Sequence, residues 1–80
     1  MSVTVLLFAS SADALGTSSL QLDLEEGATV TEVVKSVRGR AGATALPPNP
    51  LVAVNERYAR ADQALRTGDT VAIIPPVAGG

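Results

Sequence analysis

Apolar residues fall along this chain in two rhythms, one of period two and one of helical period. Val3-Thr4-Val5-Leu6-Leu7-Phe8-Ala9 is a β-branched, almost wholly apolar run of strand length, which predicts a strand buried in the middle of a sheet. Ser10 to Ser18 is small and polar and reads as a loop, after which Leu20, Leu22 and Leu24 alternate with Gln21 and Asp23 as a second strand with one wet face. Glu25-Glu26-Gly27 makes a turn. Thr29 with Glu32 three residues later is a capping-box signature at the head of a helix. Val30, Val33, Val34, Val37 and Ala41 keep helical spacing and form one apolar stripe, and Gly39 and Gly42 mark the fading end. Valine is a poor helix former, so packing against the sheet must hold this helix.

From Gly42 to Pro50 the chain is rich in Ala, Gly and Pro and reads as a connector. Leu51-Val52-Ala53-Val54 is a short strand ending in a turn at Asn55-Glu56, and Tyr58 to Leu65 reads as loop with a brief helical or strand turn. A Gly68-Asp69 turn launches Thr70-Val71-Ala72-Ile73-Ile74, a last strand halted by Pro75. The order predicts an α+β domain: a mixed four- to five-stranded sheet with one main helix on one face, the first and last strands forming the central pair.

That architecture leaves a face uncovered. Both sides of the first and last strands are apolar, and one helix can cover only one of them. If it covers Val3, Val5, Leu7, Val71 and Ile73, then Leu6, Phe8, Ala72 and Ile74 are left as an exposed patch, and contiguous exposed apolar surface marks a partner. Phe8 and Tyr58 are the two aromatics of the chain, and aromatics are favoured interface anchors.

Composition then removes function classes. Eighty residues make one small domain that buries only about 60–65% of its unfolded surface, with little room for an enclosed active site. Without Cys, His or Trp, disulfides, thiolate or imidazole catalysis and the usual zinc ligands are excluded, so no metal site is expected. The net charge is −2 and the basic residues are dispersed, which gives nucleic acid neither an electrostatic footprint nor a stacking platform. No apolar run reaches the length of a membrane span and no signal-peptide pattern opens the chain, so a cytoplasmic location is expected. Asp13, Asp23, Glu25 and Glu26 read as solvated turn charges, and no nucleophile is expected among the side chains.

The chemistry points instead to the terminus. Pro75-Pro76-Val77-Ala78-Gly79-Gly80 follows directly on the last strand. A Gly-Gly end can enter a slot too narrow for any Cβ, and its carboxylate becomes an acyl donor once an activating group such as adenylate makes its oxygen a leaving group.

The opening Val3 to Ala9 run, the Val52-Ala53-Val54-Asn55 segment, and Leu65 with the closing Gly68-Asp69 to Gly80 run resemble the small subunits of molybdopterin synthase, sulfur carriers of the ubiquitin-like β-grasp superfamily. The resemblance spans essentially the whole chain, and its closing motif is the specific part. It implies a single domain with residues 75–80 as a flexible tail, not an enzyme on its own. It implies that Gly80 is adenylated by a ubiquitin-activating-type enzyme using ATP and converted to a thiocarboxylate, with no cofactor bound to the carrier itself. The large synthase subunit would then take the tail and pass the sulfur to cyclic pyranopterin monophosphate. Gly79, Ala78 and Val77 would line the insertion channel, Pro75-Pro76 would stiffen the exit, and Phe8, Tyr58 and Ile74 would form the contact surface. Ile73-Ile74 stands where the family often has an aromatic pair, and Ser10-Ser11-Ala12-Asp13 where it often has Arg-Glu. Three alternatives stay open: a sulfur carrier for thiamine thiazole or cysteine synthesis, a ubiquitin-like protein modifier, and an interaction domain with an inert tail.

Overall fold

The structure, a computed structural model, describes residues 1–8, 12–13, 15–41 and 50–74. Its elements are β1 (Ser2–Leu6), β2 (Ser19–Asp23), α1 (Val30–Ala41), β3 (Leu51–Val54), β4 (Arg57–Ala59) and β5 (Thr70–Ile74). They build one five-stranded sheet in the order β2-β1-β5-β3-β4. β1 and β5 pair in parallel, with Val5 opposite Val71 and Leu6 opposite Ala72, and the other pairings are antiparallel. The most apolar strands are thus neighbours inside the sheet, as their composition predicts.

Burial alternates strictly along β1 and β5. Val3, Val5, Leu7, Val71 and Ile73 are buried against Val30, Val33 and Val37 of α1, with Leu22, Val52, Val54 and Leu65 closing the same core. Each such aliphatic side chain stabilises the fold by about 1.5–3 kcal/mol through removal from water. This burial outweighs the weak helix propensity of a valine-rich segment and keeps Gly39 inside the helix. The helix passes through Gly39, which is exposed, and ends at Ala41, within the Gly39 to Gly42 stretch expected to mark its end.

The helix starts where Thr29 and Glu32 place it, but its first amides are satisfied differently from a capping box. Val30 N donates to Gln63 O (3.1 Å) and Thr31 N to Ala61 O (3.0 Å), while the Glu32 amide bonds to the Thr29 main-chain carbonyl at 3.0 Å. The Thr31 hydroxyl also donates to Ala61 O at 2.9 Å. The segment after β4 therefore does the capping, and Leu65 N donating to Ala28 O (2.9 Å) pins it there. The sequence predicts loop with a brief helical or strand turn over Tyr58 to Leu65, and β4 (Arg57–Ala59) forms at its start. It exists because Asn55 (φ 51°) and Glu56 (φ 71°) form a two-residue left-handed turn, the type that matches strand twist and folds Arg57–Ala59 back onto β3.

Candidate functional site

The face of the sheet opposite α1 carries the predicted site residues that lie among the described ones. Ala72 and Ile74 point away from the helix because they alternate with buried Val71 and Ile73. The register extends this face sideways: Leu51 lies opposite Ile74, Ala53 opposite Ala72, Tyr58 opposite Ala53, and Leu6 opposite Ala72 on the other side. Phe8 follows Leu6 in the same alternation. Phe8 is 45% exposed, Leu51 54% and Tyr58 76%, and they are the large exposed hydrophobics of the described residues. Three bulky apolar side chains are thus exposed on one side of a small sheet, and exposed apolar surface that is contiguous is characteristic of interaction sites in general.

The other half of this face is polar and hydrogen-bonded to itself. Gln21 Nε2 donates to Thr4 Oγ1 at 2.7 Å and Ser2 Oγ donates to Gln21 Oε1 at 3.1 Å. Asn55 Oδ1 accepts from Thr70 N at 3.0 Å, while Asn55 Nδ2 donates to Asp69 Oδ1 at 3.0 Å. Asp69 Oδ2 in turn accepts from Arg66 N at 2.9 Å. The turn before β5 is completed by Gly68 at φ +89° and by Asp69 N donating to Arg66 O (3.1 Å), the geometry in which a third turn residue with positive φ calls for glycine. With Thr4 N donating to Asp69 O (3.0 Å) and Gly68 N to Ser2 O (2.9 Å), the start of β5 is locked to β1 as well as to the β3–β4 turn. The strand therefore ends, at Ile74, on the apolar half.

Phe8, Tyr58 and Ile74 all lie on this face, as do Leu6 and Ala72. Leu51 was missed from sequence. Its signal was its phase with Ala53 in the run Leu51-Val52-Ala53-Val54, but the phase assigns a face only once β3 is paired with β5. Pro75, Pro76, Val77, Ala78, Gly79 and Gly80 lie outside the described residues. No group of three or more possible metal ligands occurs among the described residues, and Asp13, Asp23, Glu25 and Glu26 are all exposed. No helix among the described residues is long and apolar enough to cross a membrane.

A mixed sheet with its parallel pair inside and one helix laid across a single face defines a ubiquitin-like β-grasp protein, and solved structures of that class superpose on the chain. A Pyrococcus furiosus chain assigned as subunit 1 of molybdopterin converting factor aligns with a TM-score of 0.83 at 28% identity, covering 96% of this chain and 99% of that one. Small archaeal modifier protein 1 of Haloferax volcanii aligns with a TM-score of 0.85 at 25% identity, covering 95% and 98%. The chain belongs to the ThiS family, which it matches over residues 5–80. Among curated relatives, the molybdopterin synthase sulfur carrier subunit of Drosophila simulans is 34% identical over 83 aligned positions, covering all of this chain and 92% of the relative.

Proposed function

We propose that this chain is the sulfur-carrier subunit of a molybdopterin synthase. The observation that carries the reading is full-length similarity to a relative of that name in a chain that ends Gly79-Gly80 behind the last strand. The Gly80 carboxylate attacks the α-phosphorus of ATP on an activating enzyme, releasing pyrophosphate and leaving an acyl adenylate. A sulfide-level sulfur adds to that carbonyl and AMP leaves, which yields the thiocarboxylate. Within the synthase the large subunit receives the tail and the sulfur passes to cyclic pyranopterin monophosphate, with the Gly80 carboxylate restored by water. The carrier contributes no acid, base or metal to these steps. It delivers a reactive end, and the Phe8, Leu51, Tyr58 and Ile74 surface docks it on its partners.

A protein-modifier role has support of its own in the likeness to small archaeal modifier protein 1; there the activated Gly80 carbonyl would be attacked by a lysine amine, and AMP would leave. Intact-mass measurement after incubation with ATP, a sulfur donor and cytoplasmic extract of the source organism separates the two. The carrier reading expects a gain equal to one oxygen replaced by sulfur, absent from a Gly80-deleted chain. Conjugate ladders without that gain would favour the modifier, and an unchanged mass in an extract that activates another carrier would sink both.

A further inference from the structure

Half of the eight acidic residues lie together in space. Asp23, Glu25, Glu26 and Glu32 gather at one end, where the β2 edge meets the start of α1. On the opposite flank a groove of about 430 Å³ runs between α1 and the β3–β4 edge, with Val30, Val34, Val52 and Ala59 along it and Lys35 and Arg38 at its side. Among the described residues no acidic side chain lines it. Arg57 adds a further cation, because it pairs with buried Val54 and so lies on the helix side of the sheet. Among the described residues the one ion pair joins Arg60 to Asp62, so the charge of Lys35 is not neutralised within the fold.

The neighbouring edge has no partner strand among the described residues. β4 ends the sheet, and Val54 and Arg57 flank a two-residue turn. In such a hairpin the flanking residues form the hydrogen-bonded pair, so the next pair, Ala53 and Tyr58, does not exchange main-chain bonds. Tyr58 therefore turns its N–H and C=O outward, beside the groove.

We propose that this groove docks an extended, acidic peptide segment of a partner protein: its main chain pairs with the β4 edge at Tyr58, an apolar side chain fills the space over Val34, Val52 and Ala59, and flanking carboxylates meet Lys35 and Arg57. Charge complementarity selects this occupant, since apolar floor, cationic rim and free strand edge match three features that coexist in such a segment. The groove lies on the opposite side of the sheet from Phe8 and Leu51. A partner held here leaves the tail-side face open, so two proteins can engage the carrier together. The inference does not depend on the fate of Gly80.

The test is a titration of the full-length ¹⁵N-labelled chain with a capped peptide, Glu-Ile-Val-Ile-Asp-Asp, followed by amide chemical shifts. Shifts centred on Val34, Lys35, Tyr58 and Ala59 are expected, with affinity falling several-fold on raising salt from 50 to 300 mM, conditions chosen to screen exposed charges. The same peptide with Lys in place of its acidic residues should bind at least about tenfold more weakly, which is the loss of its charge contacts. Lys35→Glu/Arg57→Glu should do likewise while keeping a folded spectrum, and Phe8→Ser should leave binding unchanged. Equal binding of the Lys peptide to the wild-type chain, shifts confined to the Phe8 and Leu51 face, or no shifts at millimolar peptide would each overturn the proposal. Concentration-dependent shifts of groove amides without peptide would overturn it too, by assigning the groove to the acidic end of a second copy.

Discussion

Asn55 is the residue on which the geometry of the tail-bearing strand turns most directly, and its contribution separates into parts that can be measured. It holds φ at 51°, and its side chain bonds both Asp69 Oδ1 and Thr70 N at 3.0 Å. Asn55→Gly keeps the left-handed backbone and removes both bonds. They are exposed, so each contributes about 0.5–1 kcal/mol and the variant should lose about 1–2 kcal/mol. Asn55→Ala removes the same bonds and keeps a Cβ in the left-handed region without the short polar side chain that makes Asn tolerant of it, at a further cost of about 1 kcal/mol, for a total of about 2–3. Asn55→Asp can still accept from Thr70 N but places a carboxylate against Asp69, so its deficit should shrink with added salt. Against a whole-domain stability of about 4–12 kcal/mol for a chain of this length, these losses are large. Urea unfolding resolves them, since an m-value near 1 kcal/mol/M turns a 1 kcal/mol difference into a midpoint shift of about 1 M. The order expected is wild type, then Gly, then Ala. Equal losses for Gly and Ala would refute the backbone part of the reasoning, and a Gly variant as stable as wild type would refute the hydrogen-bond part.

Three other outcomes follow from the same geometry. Gly39→Ala should stabilise the domain by about 0.5–1 kcal/mol, because Gly39 is helical and a Cβ there meets nothing within 4 Å; a loss on thermal or urea unfolding would mean that the helix ends before it. Val5→Ala and Val33→Ala remove the same atoms from sites that are both 0% exposed. The strand variant should lose about 3 kcal/mol and the helix variant about 2, since alanine recovers roughly 0.6 kcal/mol of helix propensity, and equal losses in denaturant would contradict that partition. Leu51→Asp should leave the unfolding midpoint nearly unchanged, because Leu51 is 54% exposed, yet weaken binding to the large synthase subunit by at least about tenfold in calorimetry, as loss of an interface anchor does; unaltered affinity would remove Leu51 from the docking surface.

What could be read from sequence was set by local pattern. Val3-Thr4-Val5 and Val71-Ala72-Ile73 announce their alternation to any reader of period two, and the Val30, Val33, Val37 stripe announces the helix. Their mutual placement follows, since one helix can bury only one face. β4 was not legible because Arg57-Tyr58-Ala59 has no apolar rhythm, and only the conformation of Asn55-Glu56 turns it into a strand. The capping of α1 was half legible. Thr29 and Glu32 locate the boundary, but the carbonyls of Ala61 and Gln63 that receive the first amides come from a segment thirty residues on, through a contact that no local signature encodes. The groove beside Lys35 was invisible for the same reason: Lys35 and Arg57 look dispersed until α1 and β4 are set side by side. Among the site residues, Phe8 and Ile74 followed from alternation and Tyr58 from family resemblance, whereas Leu51 needed the β3–β5 register.

The division of the exposed sheet face bears on how a carrier of this design would work. Asn55, Thr70, Thr4 and Gln21 hold the polar half fixed, and the apolar half surrounds Ile74, the last described residue before the six that end in Gly80. Six residues span at most about 20 Å when fully extended. Under the proposed function, an acceptor site must therefore open within about that distance of the surface on which Leu51 and Phe8 dock. A partner that covers the patch and presents such a site converts tail insertion into an intramolecular step, in which a short tether supplies effective concentrations in the millimolar range. The patch and the tail then act as two halves of one recognition event: docking supplies the affinity, and the tail, with no side chain at its last two positions, reaches the chemistry. This accounts for why so small a domain keeps Phe8, Leu51 and Tyr58 in water. Under the proposed function, their solvation cost in the free carrier is recovered when a partner covers them, and the role of the fold is to place Gly80 within that partner's reach.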